Sequence, residues 1–195
     1  DSVSPAPEST LDQRPVPTPQ VSSVRPDDSV PAVDGERIDE HLKSLGAYVV
    51  GAPLRLVQIK PGTYVRTTPI AMPSGVRLIA AGATFRSQVP GPEAPLLDIT
   101  RVTDVVIEGG TWDGDKAHPL VISEWKHVIR VVASERVTLD AVRTVNGVGD
   151  GIYVGSAQTP CKDITIRSAR ASKNGRNGLS ITAVVGLRCT DSLFT

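Results

Sequence analysis

The sequence predicts an all-β solenoid, a chain wound into stacked coils of short parallel strands. Apolar alternation comes in runs of three to six residues, each closed by Gly, Asn, Asp, Ser or Pro. That is the pattern of strands, and each run is too short for an independent helix. Two stretches superpose without a gap at an offset of 27 residues: VTLDAVRTVNGVGDGIYVG at Val137–Gly155 and ITIRSARASKNGRNGLSIT at Ile164–Thr182. Val137, Leu139, Ile152 and Val154 then meet Ile164, Ile166, Leu179 and Ile181, and Gly151 meets Gly178. The composition agrees, with 17 Gly and 16 Pro in 195 residues and only 4% aromatics. It argues against long helices and against an aromatic-rich core.

A single coil cannot bury its own apolar interior, but stacked coils can. Each strand pairs with its equivalent in the next coil at about 4.8 Å. Val137, Ile164 and Leu187 should form one inward ladder, and Leu139, Ile166 and Cys189 a second. Cys189 is therefore expected among aliphatic side chains. It and Cys161 either pair or remain two buried thiols, and their spacing matches no zinc motif.

In chain order, residues 1–33 are rich in Pro, Ser, Val and Asp and read as a linker or strap. Residues 34–53 form a lead-in with a short helix at 35–46, where Ile38, His41, Leu42 and Leu45 share a face and Gly46 supplies the stop. From residue 54 the strands begin: 54–59, 76–80, 96–99, 104–109, 120–122, 127–132, 136–139, 151–154, 163–166 and 178–181. LVI at 120–122 follows VVI at 105–107 by the interval that separates Val137 from Ile152. Glycine and asparagine mark the corners, because they tolerate left-handed backbone.

Other folds fit less well. A sandwich does not need gap-free repetition, and the leucine-rich signature is absent. GVGDG at 147–151 runs into a strand, not a helix, so it is not a phosphate loop. The formal charge is zero, with 21 basic and 21 acidic residues, which disfavours nucleic acid as a partner. No apolar run approaches the length of a membrane-spanning helix.

Several phrases carry a resemblance: IKPGTYV at 59–65, SGVRLIAAGATF at 74–85, DVVIEGGTWDGD at 104–115, GVGDGIYVG at 147–155 and KDITIRSARASKNGRNGLSI at 162–181. Over residues 35–195 the chain resembles the right-handed parallel β-helix superfamily of carbohydrate-active proteins, which includes pectate lyases, polygalacturonases, alginate epimerases and phage tailspikes. The resemblance implies a right-handed single-stranded parallel β-helix with an N-terminal capping helix, incomplete at the C-terminus, in a secreted or cell-surface protein. Further coils of the same helix, or a second copy in a homo-oligomer, would be its protein partners, and a polysaccharide or oligosaccharide its ligand. No subfamily follows: NTD, paired DD, GHG, RIK and DPHE signatures are all missing.

Counting one offset from Val105, Val137 and Ile164 reaches His118, Asp150 and Asn177, which should line one edge. Tyr153 alternates with inward Ile152 and Val154, so its ring should face out beside them as a sugar platform. TWDGD adds Asp113 and Asp115, and Trp112 as a further sugar contact. Glycoside hydrolysis often needs two carboxyl groups, one acid and one base or nucleophile. Asp150 with Asp113 or Asp115 is the candidate catalytic pair, and no cofactor is required. Asp150 and Asn177 also suit tight turns, and WDGD suits a loop with side-chain-to-backbone bonds. A lyase or epimerase of uronic-acid polymers would instead need a base and a neutralised carboxylate. Lys173, Arg170 and Arg176 are its candidates, Arg143 repeats at Arg170, and calcium would enter only with that chemistry. A noncatalytic carbohydrate-binding or surface-assembly protein is the reading from a different class. A glycoside hydrolase is the first expectation.

Overall fold

A computed structural model describes residues 30–156 and 158–195, so most of the predicted linker lies outside the described residues. Among the described residues, seventeen strands form three parallel sheets. The first contains Arg55–Gln58, Val76–Ile79, Thr103–Glu108, Glu135–Asp140, Cys161–Arg167 and Val184–Thr190. The second contains Gly62–Arg66, Ala83–Ser87, Thr111–Asp113, Arg143–Val145, Arg170–Ser172 and Leu193–Phe194. The third contains Ile70–Ala71, Leu97–Thr100, Ile129–Val132, Ile152–Val154 and Leu179–Ile181. The chain visits the three sheets in turn, and every strand pairs with its equivalents one coil away. This is a parallel β-helix solenoid.

Both predicted ladders form. Val76, Val105, Val137, Ile164 and Leu187 are in register, as are Leu78, Ile107, Leu139, Ile166 and Cys189. Cys161 is buried, but Cys189 is exposed and the two thiols are unpaired. Cys189 takes the expected rung opposite Ile166. Its strand is the outermost of its sheet, so no described coil covers it; the expectation that it is buried is corrected.

The second sheet was the least legible. Its central strands, TWD, RTV and RAS, are too short to alternate. Their inward positions stack Tyr64, Phe85, Trp112, Thr144, Ala171 and Phe194 in one column. The Tyr64 and Phe85 ring centroids are 5.5 Å apart and those of Phe85 and Trp112 4.9 Å. Four of the seven aromatic residues, Tyr64, Phe85, Trp112 and Phe194, therefore share one column of the core. Trp112 is 0% exposed and its indole N–H donates to the Gly109 carbonyl. With both faces enclosed it offers none to a sugar, which corrects its expected role in binding.

The predicted helix is a 3-10 turn, Gly35–Arg37, running into an α-helix, Ile38–Ser44. Ile38 and Leu42 are buried in the common core. Gly46 follows with φ of +69°, the left-handed stop. Arg66, buried in the second sheet, binds the Asp39 carboxylate and the Glu36 carbonyl, tying the helix to the first coils. Val33 forms an isolated parallel bridge to Ile59, just beyond the strand Arg55–Gln58.

One predicted strand is absent. Residues 120–122 are irregular, and Leu120 and Ile122 are exposed. The strand of the third sheet in that coil is Ile129–Val132, whose Ile129 pairs with Ile152. Val105 and Ile129 are 24 positions apart where Val137 and Ile152 are 15, so a loop has been inserted and the equal-interval reading fails there.

The corner between the first and second sheets places Gly109, Ala141, Ser168 and Asp191 at equivalent positions, all with positive φ between 51° and 71°. An L-residue pays a steric cost there that glycine does not. Ala141→Gly should raise stability by up to about 1 kcal/mol, and Leu139→Ala, emptying the middle of a ladder, should lower it by about 2–5 kcal/mol. Urea-unfolding midpoints at constant slope would measure both.

Candidate functional site

The outward positions of the third sheet hold Asp98, Arg130, Tyr153 and Ser180 in register across four coils. Arg130 grips Asp98 with two bonds, Nε to Oδ1 at 3.3 Å and Nη2 to Oδ2 at 3.0 Å, and Nη1 donates to the Glu93 carbonyl at 3.0 Å. Tyr153 faces out as expected. Its ring lies parallel to the His127 imidazole with centroids 4.5 Å apart, and its hydroxyl is 3.0 Å from the Thr182 hydroxyl. Trp125 meets His127 edge-on at 6.4 Å and is 52% exposed. A groove of about 450 Å³ is lined by Trp125, His127, Arg130 and Tyr153, together with Glu93 and Gln158.

The inserted loop carries Trp125 and His127 into place. Lys126 is buried between them and points the other way, its ammonium donating to the Val89 carbonyl at 2.5 Å and the Gly91 carbonyl at 3.2 Å. Burial pulls the Lys126 ammonium below its ordinary range. This clamp holds the loop against residues 89–94. Gly149 lets the next coil pass beneath: its amide donates to the Lys126 carbonyl at 3.0 Å, and a Cβ there would lie 2.4 Å from the Glu124 carbonyl oxygen. The GVGDG run thus serves close coil-to-coil approach.

Asp150 anchors His127 from below. It is 1% exposed; Oδ1 accepts from the Asn177 amide at 3.0 Å and Oδ2 lies 3.2 Å from His127 Nδ1. The Asp150 amide also approaches Nδ1, at 3.3 Å. The residue serves either neutral tautomer of the ring, accepting from Nδ1–H through its carboxylate or donating to bare Nδ1 through its amide. His127 is 4% exposed. Burial holds its pKa below the usual imidazole range, against the opposing pull of Asp150; Arg130 and Arg176 lower it further and Glu124 raises it.

The predicted edge is therefore partly assembled. Asp150 and Asn177 are on adjoining rungs, with Gly151 N–H donating to the Asn177 carbonyl at 2.9 Å. His118 is elsewhere: largely exposed, its Nδ1 lies 3.2 Å from Asp115 Oδ1. The rung it was expected to fill belongs to His127. Asp113 accepts from the Asn146 side chain at 3.1 Å and the Asp115 amide at 2.9 Å, and is buried, as is Asp115. Neither lines the groove, and Asp150 lies beneath His127, so the expected carboxylate pair does not converge on this face. Lys173 is exposed in a left-handed turn, and Arg176 pairs with Glu124 at 3.1 Å. Among the described residues, no three His, Cys, Asp or Glu side chains converge as a metal site, and no helix is long and apolar enough to cross a membrane.

His127, Trp125, Arg130, Glu93 and Asp98 were missed by sequence reasoning. A signal for His127 existed. Aligning HVIRVV at 127–132 on DGIYVG at 150–155 matches Ile129 to Ile152 and Val131 to Val154, and puts His127 on Asp150.

No family model and no curated protein matches the sequence. Among solved structures, the chain is similar to a "putative glycosyl hydrolase" from Parabacteroides merdae, with a TM-score of 0.51 and 13% identity over 80% of this chain and 85% of that one. The similarity is one of fold.

The depressed His127 value sets a pH dependence. Unfolded histidine titrates near about 6.5, so below that pH the unfolded chain binds a proton that folded His127 resists. The contribution of His127 is full above about pH 6.5 and declines as pH falls toward its folded value, with a slope of at most about 1.4 kcal/mol per pH unit. Urea midpoints taken across this range should fall less steeply in His127→Gln than in the parent protein.

Proposed function

We propose that this chain is a polysaccharide-active protein whose glycan lies in the groove on the outer face of the third sheet, and that it cleaves glycosidic bonds there. The observation that carries the reading is the lining of the groove: two aromatic side chains, Trp125 and Tyr153, beside a histidine held from below by a buried aspartate. The apolar face of a pyranose packs on aromatic rings, while hydroxyl groups need a few fixed polar partners. Arg130 and Gln158 are placed to supply them.

Proton transfer falls to His127 and Glu93. Neutral His127, oriented through Nδ1 by Asp150, accepts or returns a proton at Nε2. Glu93 is exposed and forms no ion pair among the described residues, and it is the carboxylate lining the groove that is free to protonate a leaving oxygen or to activate water. The roles first assigned to Asp113, Asp115 and Asp150 thus move to these two groups, with Asp150 as a positioning residue. Elimination from a uronic-acid polymer has less support, because Asp98 already neutralises Arg130 and Glu124 already pairs with Arg176.

Binding without turnover is the second reading. It is favoured by one observation: the groove presents a single unpaired carboxylate where hydrolysis ordinarily uses two.

A panel of neutral and acidic polysaccharides, assayed for binding, for new reducing ends and for unsaturated products, separates these readings. Trp125→Ala should weaken binding. His127→Gln and Glu93→Gln should each leave binding intact and slow hydrolysis by about 10²–10⁴-fold. Binding with no product from any bound polymer would select the second reading, and failure to bind any glycan would sink both.

A further inference from the structure

We propose a second binding strip, on the outer face of the second sheet, that takes an acidic polysaccharide. Arg143 and Arg170 occupy the same position in adjacent coils. Both are exposed, and neither forms an ion pair or side-chain hydrogen bond among the described residues. Neighbouring strands lie about 4.8 Å apart, so the two stems start one rung apart with like charges at their tips. That repulsion has no internal compensation.

Elsewhere on the sheet faces an arginine meets an acid of a neighbouring coil: Arg77 with Glu108, Arg130 with Asp98, Arg136 with Asp104, Arg167 with Asp140. The column of Arg143 and Arg170 sets two arginines side by side with no such acid. It continues in register through the half-buried Thr111 and Thr84, giving two hydroxyl groups and then two guanidinium groups in one line across the coils. Lys173, exposed at the end of the Arg170 strand, adds positive charge.

A guanidinium binds carboxylate or sulfate with two parallel bonds. The rung spacing selects the kind of polymer. An extended acidic peptide presents same-face side chains every second residue, about 6.6 Å apart, which overshoots one rung. Nucleic acid is recognised by broadly basic surfaces, and this chain has equal numbers of acidic and basic residues. A pyranose residue is close to one rung long, and because its anion projects from either edge of the sugar chain, the long arginine stems can reach the uronate or sulfate of successive sugars. The strip lies on a different sheet from the groove of Trp125 and Tyr153, and it stands or falls independently of it.

Binding of the full chain to polygalacturonate, dextran sulfate and uncharged dextran, at low and moderate salt, tests this. An acidic polymer should bind, dextran should not, and raising the salt should weaken the complex. Arg143→Gln with Arg170→Gln should reduce affinity by about tenfold or more, whereas Arg188→Gln should leave it unchanged. Arg143→Glu, which gives Arg170 an internal partner, should abolish binding while the unfolding midpoint holds or rises. The proposal is overturned if neither acidic polymer binds, if Arg188→Gln weakens binding as much as the double variant, or if an oligonucleotide or a poly-glutamate peptide binds more tightly than both polymers.

Discussion

Parallel pairing of each strand with its own equivalent is the constraint on which the rest of this molecule depends. It stacks every residue on its counterpart one coil away, so each column must be compatible with itself. Aliphatic columns satisfy this by excluding water, and the Tyr64, Phe85 and Trp112 column by offset ring contacts. Most charged columns satisfy it by alternating sign, as where Asp98 and Arg130 meet across coils, and the Arg143 and Arg170 column departs from that pattern. Polar corners satisfy it by reaching sideways: the Asn174 side chain accepts from the Gly147 amide, and Asp150 from the Asn177 amide.

The constraint also explains what the sequence made legible. A column of identical chemical class leaves a repeat, and Val137, Leu139, Ile152 and Val154 against Ile164, Ile166, Leu179 and Ile181 were paired correctly from that repeat alone. The second sheet was less visible because Thr111–Asp113, Arg143–Val145 and Arg170–Ser172 begin on an exposed or half-buried residue, bury the next and turn before an alternation is established. Its inward column also changes class midway, from Trp112 to Thr144 to Ala171, so no repeat advertises it. The strand misassigned to 120–122 shows the opposite failure, an apolar triplet that is loop because the column it was matched to lies at 129–131.

The candidate site was half legible for the same reason. Tyr153 faces outward because its neighbours face inward, a matter of strand parity alone. Asp150 and Asn177 share an edge because no insertion separates their coils. His127 was displaced from its expected position by the inserted loop, and His118, the histidine at the counted interval, stands in that loop beside Asp115. Trp112 and Asp113 were drawn toward chemistry by their residue types, yet both are structural: a closed aromatic stack, and a carboxylate spent on the Asn146 side chain and the Asp115 amide.

The insertion before Ile129 has a broader consequence. It lengthens one coil while the registers on either side remain continuous, with Ile129 in line with both Leu97 and Ile152. Surface loops of such a scaffold are therefore free to vary in length without disturbing its columns. Loop length and the interior columns are set by different stretches of chain, so chains sharing this architecture can differ in their loops while keeping one unaltered interior.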